Sequence, residues 1–348
     1  MKTFFNHHHV LHRGRQEMFR GQMVPCFELP ERLDHVLARL QQRRLGPVLQ
    51  APDAGTEALS RIHAPVYLHF LQHAWADWLA LDPANVDRDA LPSVWPNHGL
   101  RVDVLPANFA ARMGRFAFDS GSPLTSGTWA AARQGAMCAL AAAAAVADGD
   151  RAAFALTRPP GHHAGADFFG GYCFLNNAAL AAQALRDSGL SRVAILDVDY
   201  HHGNGTQAIF YDRSDVFFAS IHGDPDTEYP FFLGYADETG RGAGEACNLN
   251  LPLPRGTGFE CWREALANAL ACCVRAGAEA LVVSLGLDTF EGDPISGFQL
   301  ASDDFLRVGE DIAAVGLPTV FVFEGGYAVE PLGVNAVNVL EGFLQHAP

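Results

Sequence analysis

Positive charge is scarce in this sequence. Over 348 residues, 24 Lys and Arg stand against 39 Asp and Glu, a formal net charge of −15. A surface for duplex nucleic acid needs clustered Lys and Arg to neutralise phosphates. The two basic clusters, at 13–20 and 39–44, read as solvated faces, so no nucleic-acid partner is expected. An acidic field favours a cationic substrate, or simply keeps a protein in solution. Long apolar runs are also lacking. The Ala-rich stretch at 136–147 is too short to span a bilayer, and no membrane partner is expected. The first residues do not follow the basic-then-apolar order of a signal peptide. Seven cysteines are scattered without framework spacing, and Cys272 and Cys273 are adjacent. That pattern suits a reducing compartment, so the expected location is the cytoplasm. His7, His8 and His9 read as structural rather than metal-binding.

What is present is a globular composition, 49% apolar with 34 glycines. No linker or internal repeat divides the chain, and a single domain over 1–348 is predicted. From about residue 150 onward, short apolar runs alternate with helical patterns. Strands are predicted at 152–157, 193–199, 215–221, 280–287 and 319–324, each apolar enough for burial on both faces of a parallel sheet. Helices are predicted at 128–147, 176–188 and 259–276, the last two stopped by Gly189 and Gly277. This order argues for an open parallel α/β sheet. Residues 82–126 differ. They carry Pro83, Pro92, Pro96, Pro106 and Pro123 and little periodicity, and are predicted to be a long insertion loop with little regular structure.

Four polar clusters follow predicted strands. They are Arg158-Pro-Pro-Gly-His-His163, Asp197-Val-Asp-Tyr-His-His-Gly-Asn-Gly205, Leu287-Asp-Thr289 and Glu324-Gly-Gly-Tyr327. In open α/β sheets ligands bind beyond the carboxyl ends of strands, so four clusters at one rim make a site. Asp199 and His201 are two apart in extended chain and point the same way. A carboxylate and an imidazole so placed can share one metal ion, and Asp288 at the end of an apolar strand is the best third ligand. His162 and His163 suit a general base and general acid, in either assignment. Each needs an orienting acceptor, and Asp197 and Asn204 are available. Tyr327 can donate a hydrogen bond to a developing oxyanion. Gly170-Gly171-Tyr172-Cys173-Phe174 supplies aromatic lining for an extended substrate arm, with Cys173 read as a packing residue.

Taken in order, these motifs resemble the arginase–deacetylase superfamily, in its histone deacetylase and acetylpolyamine amidohydrolase branch. The resemblance runs over nearly the whole chain. It is strongest to the bacterial acetylpolyamine amidohydrolases, through Glu17-Met-Phe-Arg-Gly-Gln-Met-Val-Pro-Cys-Phe-Glu28, Phe168-Phe-Gly-Gly-Tyr-Cys-Phe174, His222-Gly-Asp-Pro225 and Tyr229-Pro-Phe-Phe-Leu-Gly-Tyr235. It implies a three-layer α/β/α fold around a mainly parallel sheet of about eight strands. It implies zinc on Asp199, His201 and Asp288, and a base and acid pair at His162 and His163. Asp197 would stand behind His162, Asn204 behind His163, and Tyr327 would polarise the carbonyl. Gly171, Tyr172 and Tyr229 would flank the substrate arm. Asp197 and Ser220, with carbonyls including those of Asp199, His201 and Ile221, match a potassium site of the family. The 82–126 loop would build a homodimer and narrow the entrance. Polyamine-hydrolysing relatives carry acids in that loop where this chain has Ala110 and Gly121, with Asp119 nearby. The expected substrate is therefore a short acetylated diamine such as acetylputrescine or acetylcadaverine, with Glu17 as an ammonium partner.

The predicted reaction is zinc-dependent hydrolysis of an N-acetyl amide to acetate and free amine. A protein-lysine deacetylase is the alternative within the same chemistry. A binuclear-manganese ureohydrolase would need further His and Asp ligands. A non-catalytic acetyl-amine sensor would not need the full set of ligands, histidines and tyrosine.

Overall fold

Short apolar runs separated by helical stretches dictate an alternating chain. The computed structural model, which describes residues 1–97 and 99–346, has that form. The chain opens with β1 (Lys2–Phe5), a hairpin of β2 (Gln16–Phe19) and β3 (Gln22–Pro25), helix α1 (Glu31–Arg43) and the short strand β4 (Val48–Leu49). Helices α2 (Pro65–Leu81), α3 (Phe109–Phe116) and α4 (Thr128–Ala147) follow. Then come β5 (Ala152–Leu156), α5 (Asn177–Asp187), β6 (Val193–Asp197), α6 (Asn204–Phe210), β7 (Val216–Gly223) and β8 (Asn248–Leu253). The chain continues through α7 (Phe259–Arg275), β9 (Ala280–Leu285), α8 (Asp304–Ala314), β10 (Thr319–Phe323) and α9 (Val329–His346).

Eight strands form one sheet in the order β4-β1-β5-β10-β9-β6-β7-β8. Every pairing in it is parallel. Alternate residues serve opposite faces. Ala153, Ala155, Val193, Ile195, Val282 and Val320 pack with α2, α3, α4 and α5. Phe154, Leu156, Ala194, Leu196, Val283 and Phe321 pack with α1, α7, α8 and α9. The result is the predicted three-layer arrangement, with the central strands buried on both faces. β9 and β10, late in sequence, fill the space between β5 and β6. The four loops leaving β5, β10, β9 and β6 thus emerge side by side at one rim, which is what assembles the site.

Three strands of this sheet, and the separate β2–β3 hairpin, were not legible in advance. β1 has four residues, β4 two, and the edge strand β8 alternates buried asparagines with half-buried apolar residues. The 82–126 segment also departs from expectation. It contains α3, whose Phe109, Met113 and Phe116 recur at helical spacing and are buried against the core. The Asn108 side chain caps it by accepting from the Ala111 N–H. Prolines on both sides masked that eight-residue period. α4 matches the predicted helix at 128–147. Taken whole, it is long and apolar enough to cross a membrane, yet 67% of its apolar window is buried inside the protein. A helix apolar nearly all round is what an interior position requires.

Candidate active site

Asp197 ends β6, and the chain beyond it folds over the rim carrying Asp199 and His201. Asp288 arrives three residues past β9. Ligand atoms of Asp199, His201 and Asp288 all lie within 4.8 Å of one another, and all three residues are buried. The outward oxygens are held by backbone: the Gly325 N–H donates to Asp199 Oδ2 at 2.8 Å, and the Tyr200 N–H to Asp288 Oδ1 at 2.8 Å. That leaves His201 Nδ1 facing Asp288 Oδ2 at 2.9 Å and Asp199 Oδ1 at 3.3 Å. Burial pulls the His201 imidazole down, but its bonds to the two carboxylates outweigh this and carry it to about 10. Burial and the charge of Asp199 push Asp288 up to about 7. Two carboxylates are thus crowded against one imidazole in a buried place. One nitrogen and two carboxylate oxygens, converging and pre-oriented by backbone donors, fit a divalent ion of the zinc class.

The histidine pair stands beside this cluster, with ring centroids 4.0 Å apart. His162 Nδ1 meets Asp197 Oδ2 at 3.0 Å, and His163 Nδ1 meets Asn204 Oδ1 at 2.6 Å, the partners expected from sequence. Their environments separate them. Burial lowers the His162 pKa, but Asp199 and Asp197 raise it to about 10. His163 is driven well below the ordinary imidazole range, by burial first and then by the charges of His162 and His201. An amide oxygen can only accept, so His163 carries its proton on Nδ1 and keeps a lone pair on Nε2.

A cavity of about 380 Å³ leads to this point, lined by Glu17, Asp119, Gly171, Tyr172, His163, His201, Tyr229 and Tyr327 among others. His162, Asp199 and Asp288 lie behind its floor. The Tyr327 ring packs edge-on to Tyr172 at 5.6 Å, with the Arg32 guanidinium 4.9 Å over it. Burial holds the phenol far above its usual pKa, so it remains a hydrogen-bond donor. The other two tyrosines of the wall are each tied to a carboxylate. Tyr172 donates to Glu17 Oε1 and Tyr229 to Asp119 Oδ2, both at 2.7 Å. Asp119 also accepts from the Gly171 N–H at 2.8 Å. An acid from the 82–126 segment therefore does reach the cavity wall, beside Gly121.

Ser220 sits across from Asp197 in the register of β6 and β7. Its Oγ is 2.8 Å from His222 Nδ1, so it has a partner without any cation. Cys173 is fully buried, and burial raises its thiol well above the ordinary range, which bears out a packing role. Sequence reasoning missed a buried ionic group behind the cavity. Glu28 Oε1 accepts from Arg32 Nη1 at 2.9 Å and Arg158 Nε at 2.7 Å, and Oε2 from Arg158 Nη2 at 2.8 Å. Arg32 in turn donates to the Gly326 carbonyl at 2.6 Å and the Glu324 carbonyl at 2.5 Å, bracing the turn that delivers Tyr327. Arg158 stands immediately before the Pro-Pro-Gly-His-His run, a position that could have drawn attention to it.

Comparisons with known proteins agree with this geometry. The family model described as the histone deacetylase domain matches residues 26–343. The chain is 54% identical over 343 residues to acetylpolyamine amidohydrolase 2 of Pseudomonas aeruginosa, covering 99% of this chain and 98% of that protein. It is 46% identical over 342 residues to the acetylpolyamine amidohydrolase of Mycoplana ramosa, covering 98% and 99%. The crystal structure of acetylpolyamine aminohydrolase from Burkholderia pseudomallei superposes with a TM-score of 0.94 at 42% identity, covering 99% of each chain. The fold is that of the arginase–deacetylase proteins, and the chain belongs to the histone deacetylase family.

Proposed function

We propose that this protein hydrolyses N-acetyl amides of small amines, releasing acetate and the free amine, with one zinc ion held by Asp199, His201 and Asp288. The observation that carries the reading is the meeting of three elements at one cavity. They are the three-ligand cluster, the free Nε2 of His163 and the Tyr327 hydroxyl. Zinc bound there would supply Lewis acidity toward a carbonyl oxygen and toward water. The remaining work falls to the chain. His163 Nε2 faces the cavity and takes the proton from the attacking water, then returns it to the departing amine nitrogen. His162, turned toward Asp197 at 3.0 Å and Asp199 at 3.8 Å, is placed to stabilise negative charge as the tetrahedral intermediate forms. Tyr327 donates to the oxyanion. Tyr172 and Tyr229 confine the aliphatic arm and exclude water from its flanks. The free Nε2 of His163 and the carboxylate partners of His162 favour His163 as the proton carrier.

The relatives' names and the acidic walls support a cationic amine as the leaving group. Glu17 and Asp119 supply two carboxylates along the cavity, enough for the single distal ammonium of a short diamine. We hold to acetylputrescine or acetylcadaverine over longer polyamines, and to small amines over acetyl-lysine in proteins. Potassium at Asp197 and Ser220 is part of the proposal, but no step uses it. We further propose a homodimer formed through the 82–126 segment, where Val94, Leu100, Val102, Val104 and Leu105 are exposed, and residence in the cytoplasm. A turnover panel of acetylputrescine, acetylcadaverine, acetylspermidine and an acetyl-lysine peptide tests the substrate. Highest kcat/KM on a diamine supports the reading, and highest kcat/KM on the peptide overturns it.

A further inference from the structure

The Glu-Gly-Gly-Tyr turn delivers Tyr327, but its first residue points elsewhere. The Glu324 side chain is fully buried and runs beneath the neighbouring β5 loop. Its Oε2 accepts from two successive backbone groups, the Gly161 N–H at 2.5 Å and the His162 N–H at 3.2 Å. Those N–H groups belong to the turn that presents the histidine pair. The other side of the turn is fixed as well. The Thr206 N–H donates to the His162 carbonyl at 3.1 Å, and the Ala164 N–H to the Gly161 carbonyl at 2.9 Å. A side chain at Gly161 would collide with the Asn177 nitrogen at 2.5 Å and the Leu175 carbonyl at 2.8 Å, so the turn is packed closely against the start of α5.

Glu324 is itself rigidly held. Its N–H donates to the Leu285 carbonyl at 3.0 Å, and its carbonyl accepts from Arg32 Nη2 at 2.5 Å. The next residue, Gly325, donates to Asp199. One turn therefore touches the histidine loop through a side chain, the metal-ligand cluster through a backbone N–H, and Tyr327 through the chain itself. A buried carboxylate is costly unless its oxygens are used. Among the described residues Oε1 has no hydrogen-bond partner, so the hydrogen bonds that compensate its burial come through Oε2 and the turn it grips, with the charge of His162 beside them.

We infer that Glu324 is a positioning residue: its carboxylate, acting as a hydrogen-bond acceptor at a fixed distance, sets the placement of His162 and His163 against the metal-ligand cluster. The inference rests on the proposed deacetylase reading for its kinetic consequence, but not for its structural one. What matters is where the acceptor stands, not its charge. Two conservative variants separate these. Glu324→Gln keeps the length and an acceptor but removes the charge. Glu324→Asp keeps the charge and withdraws the acceptor by one methylene.

The test measures kcat and KM for acetylputrescine, zinc content, and amide hydrogen exchange at Gly161 and His162 in both variants. Misplacement by about 1 Å costs on the order of 100-fold in rate. The expected result is a kcat for Glu324→Asp at least fivefold below that of Glu324→Gln. KM and zinc content should be unchanged, and the two amides should exchange faster in Glu324→Asp alone. Equal loss in both variants, greater loss in Glu324→Gln, or full activity in both overturns the inference. If the wild-type protein turns over no acetylated amine, the functional reading fails. The exchange comparison then decides the role of Glu324 by itself.

Discussion

Replacing Tyr327 with phenylalanine removes one oxygen and little else. The ring would keep its edge contact with Tyr172 at 5.6 Å and the Arg32 guanidinium 4.9 Å over its face. The backbone would keep its 2.7 Å bond from the Tyr327 N–H to Asp293 Oδ2. Arg32 would still hold the carbonyls of Glu324 and Gly326. The metal ligands are not touched. The variant should therefore fold, bind metal and bind substrate as the wild type does. The phenol, kept protonated by burial, donates to charge that develops only as the carbonyl is attacked. Removing one such donor costs on the order of 100- to 1,000-fold in kcat, about 3 to 4 kcal/mol. Steady-state release of acetate from acetylputrescine, with metal content measured on the same sample, gives the comparison. A kcat within threefold of wild type, with metal bound, would remove Tyr327 from the reaction and refute the oxyanion argument. A large rise in KM at unchanged kcat would instead assign the hydroxyl to ground-state binding.

Two further predictions concern charge. Burial pushes Glu17 up to about 7 against the bonds it accepts from Tyr172 and Phe27. It is anionic above that pH and neutral below it. For a carboxyl of such pKa the ionised fraction falls from roughly 0.9 at pH 8 to roughly 0.1 at pH 6. KM for acetylputrescine should therefore rise several-fold over that interval in wild type and stay flat in Glu17→Gln; identical profiles would exclude Glu17 as the ammonium partner. Arg158→Met should lower stability to urea by about 3 kcal/mol, because Glu28 loses half its neutralisation and the carbonyls of His9 and His12 lose their donor. Loss of less than about 1 kcal/mol, the range of an exposed ion pair, would contradict the assigned burial.

The sheet's centre was legible because strands covered on both faces must be almost wholly apolar, as β5 is, and as β9 is apart from Ser284. The site was legible for the opposite reason. Asp199, His201 and Asp288 are charged or polar where packing offers no reason for them, and their spacing placed two of the three on one side of the chain. The pairing of His162 with Asp197 and of His163 with Asn204 came from the resemblance and was met in the geometry. What stayed hidden has physical causes. β4 is two residues long, too short to show a period. α3 lies among prolines that suggest loop. Glu28, Arg32 and Glu324 act through contacts with residues 130 to 294 positions away, and no local pattern announces such partners. Asp119 reaches the cavity from a position two residues before Gly121, and its bond to Tyr229, 110 positions away, is not announced locally.

The central claim is that Asp199, His201 and Asp288 hold one catalytic zinc ion. Elemental analysis of purified protein, paired with turnover before and after chelation and in His201→Ala, tests it directly. The account predicts one zinc per chain, loss of activity with its removal, recovery on adding zinc back, and neither metal nor turnover in His201→Ala. Two metals per chain, or undiminished turnover in metal-free protein, would contradict it.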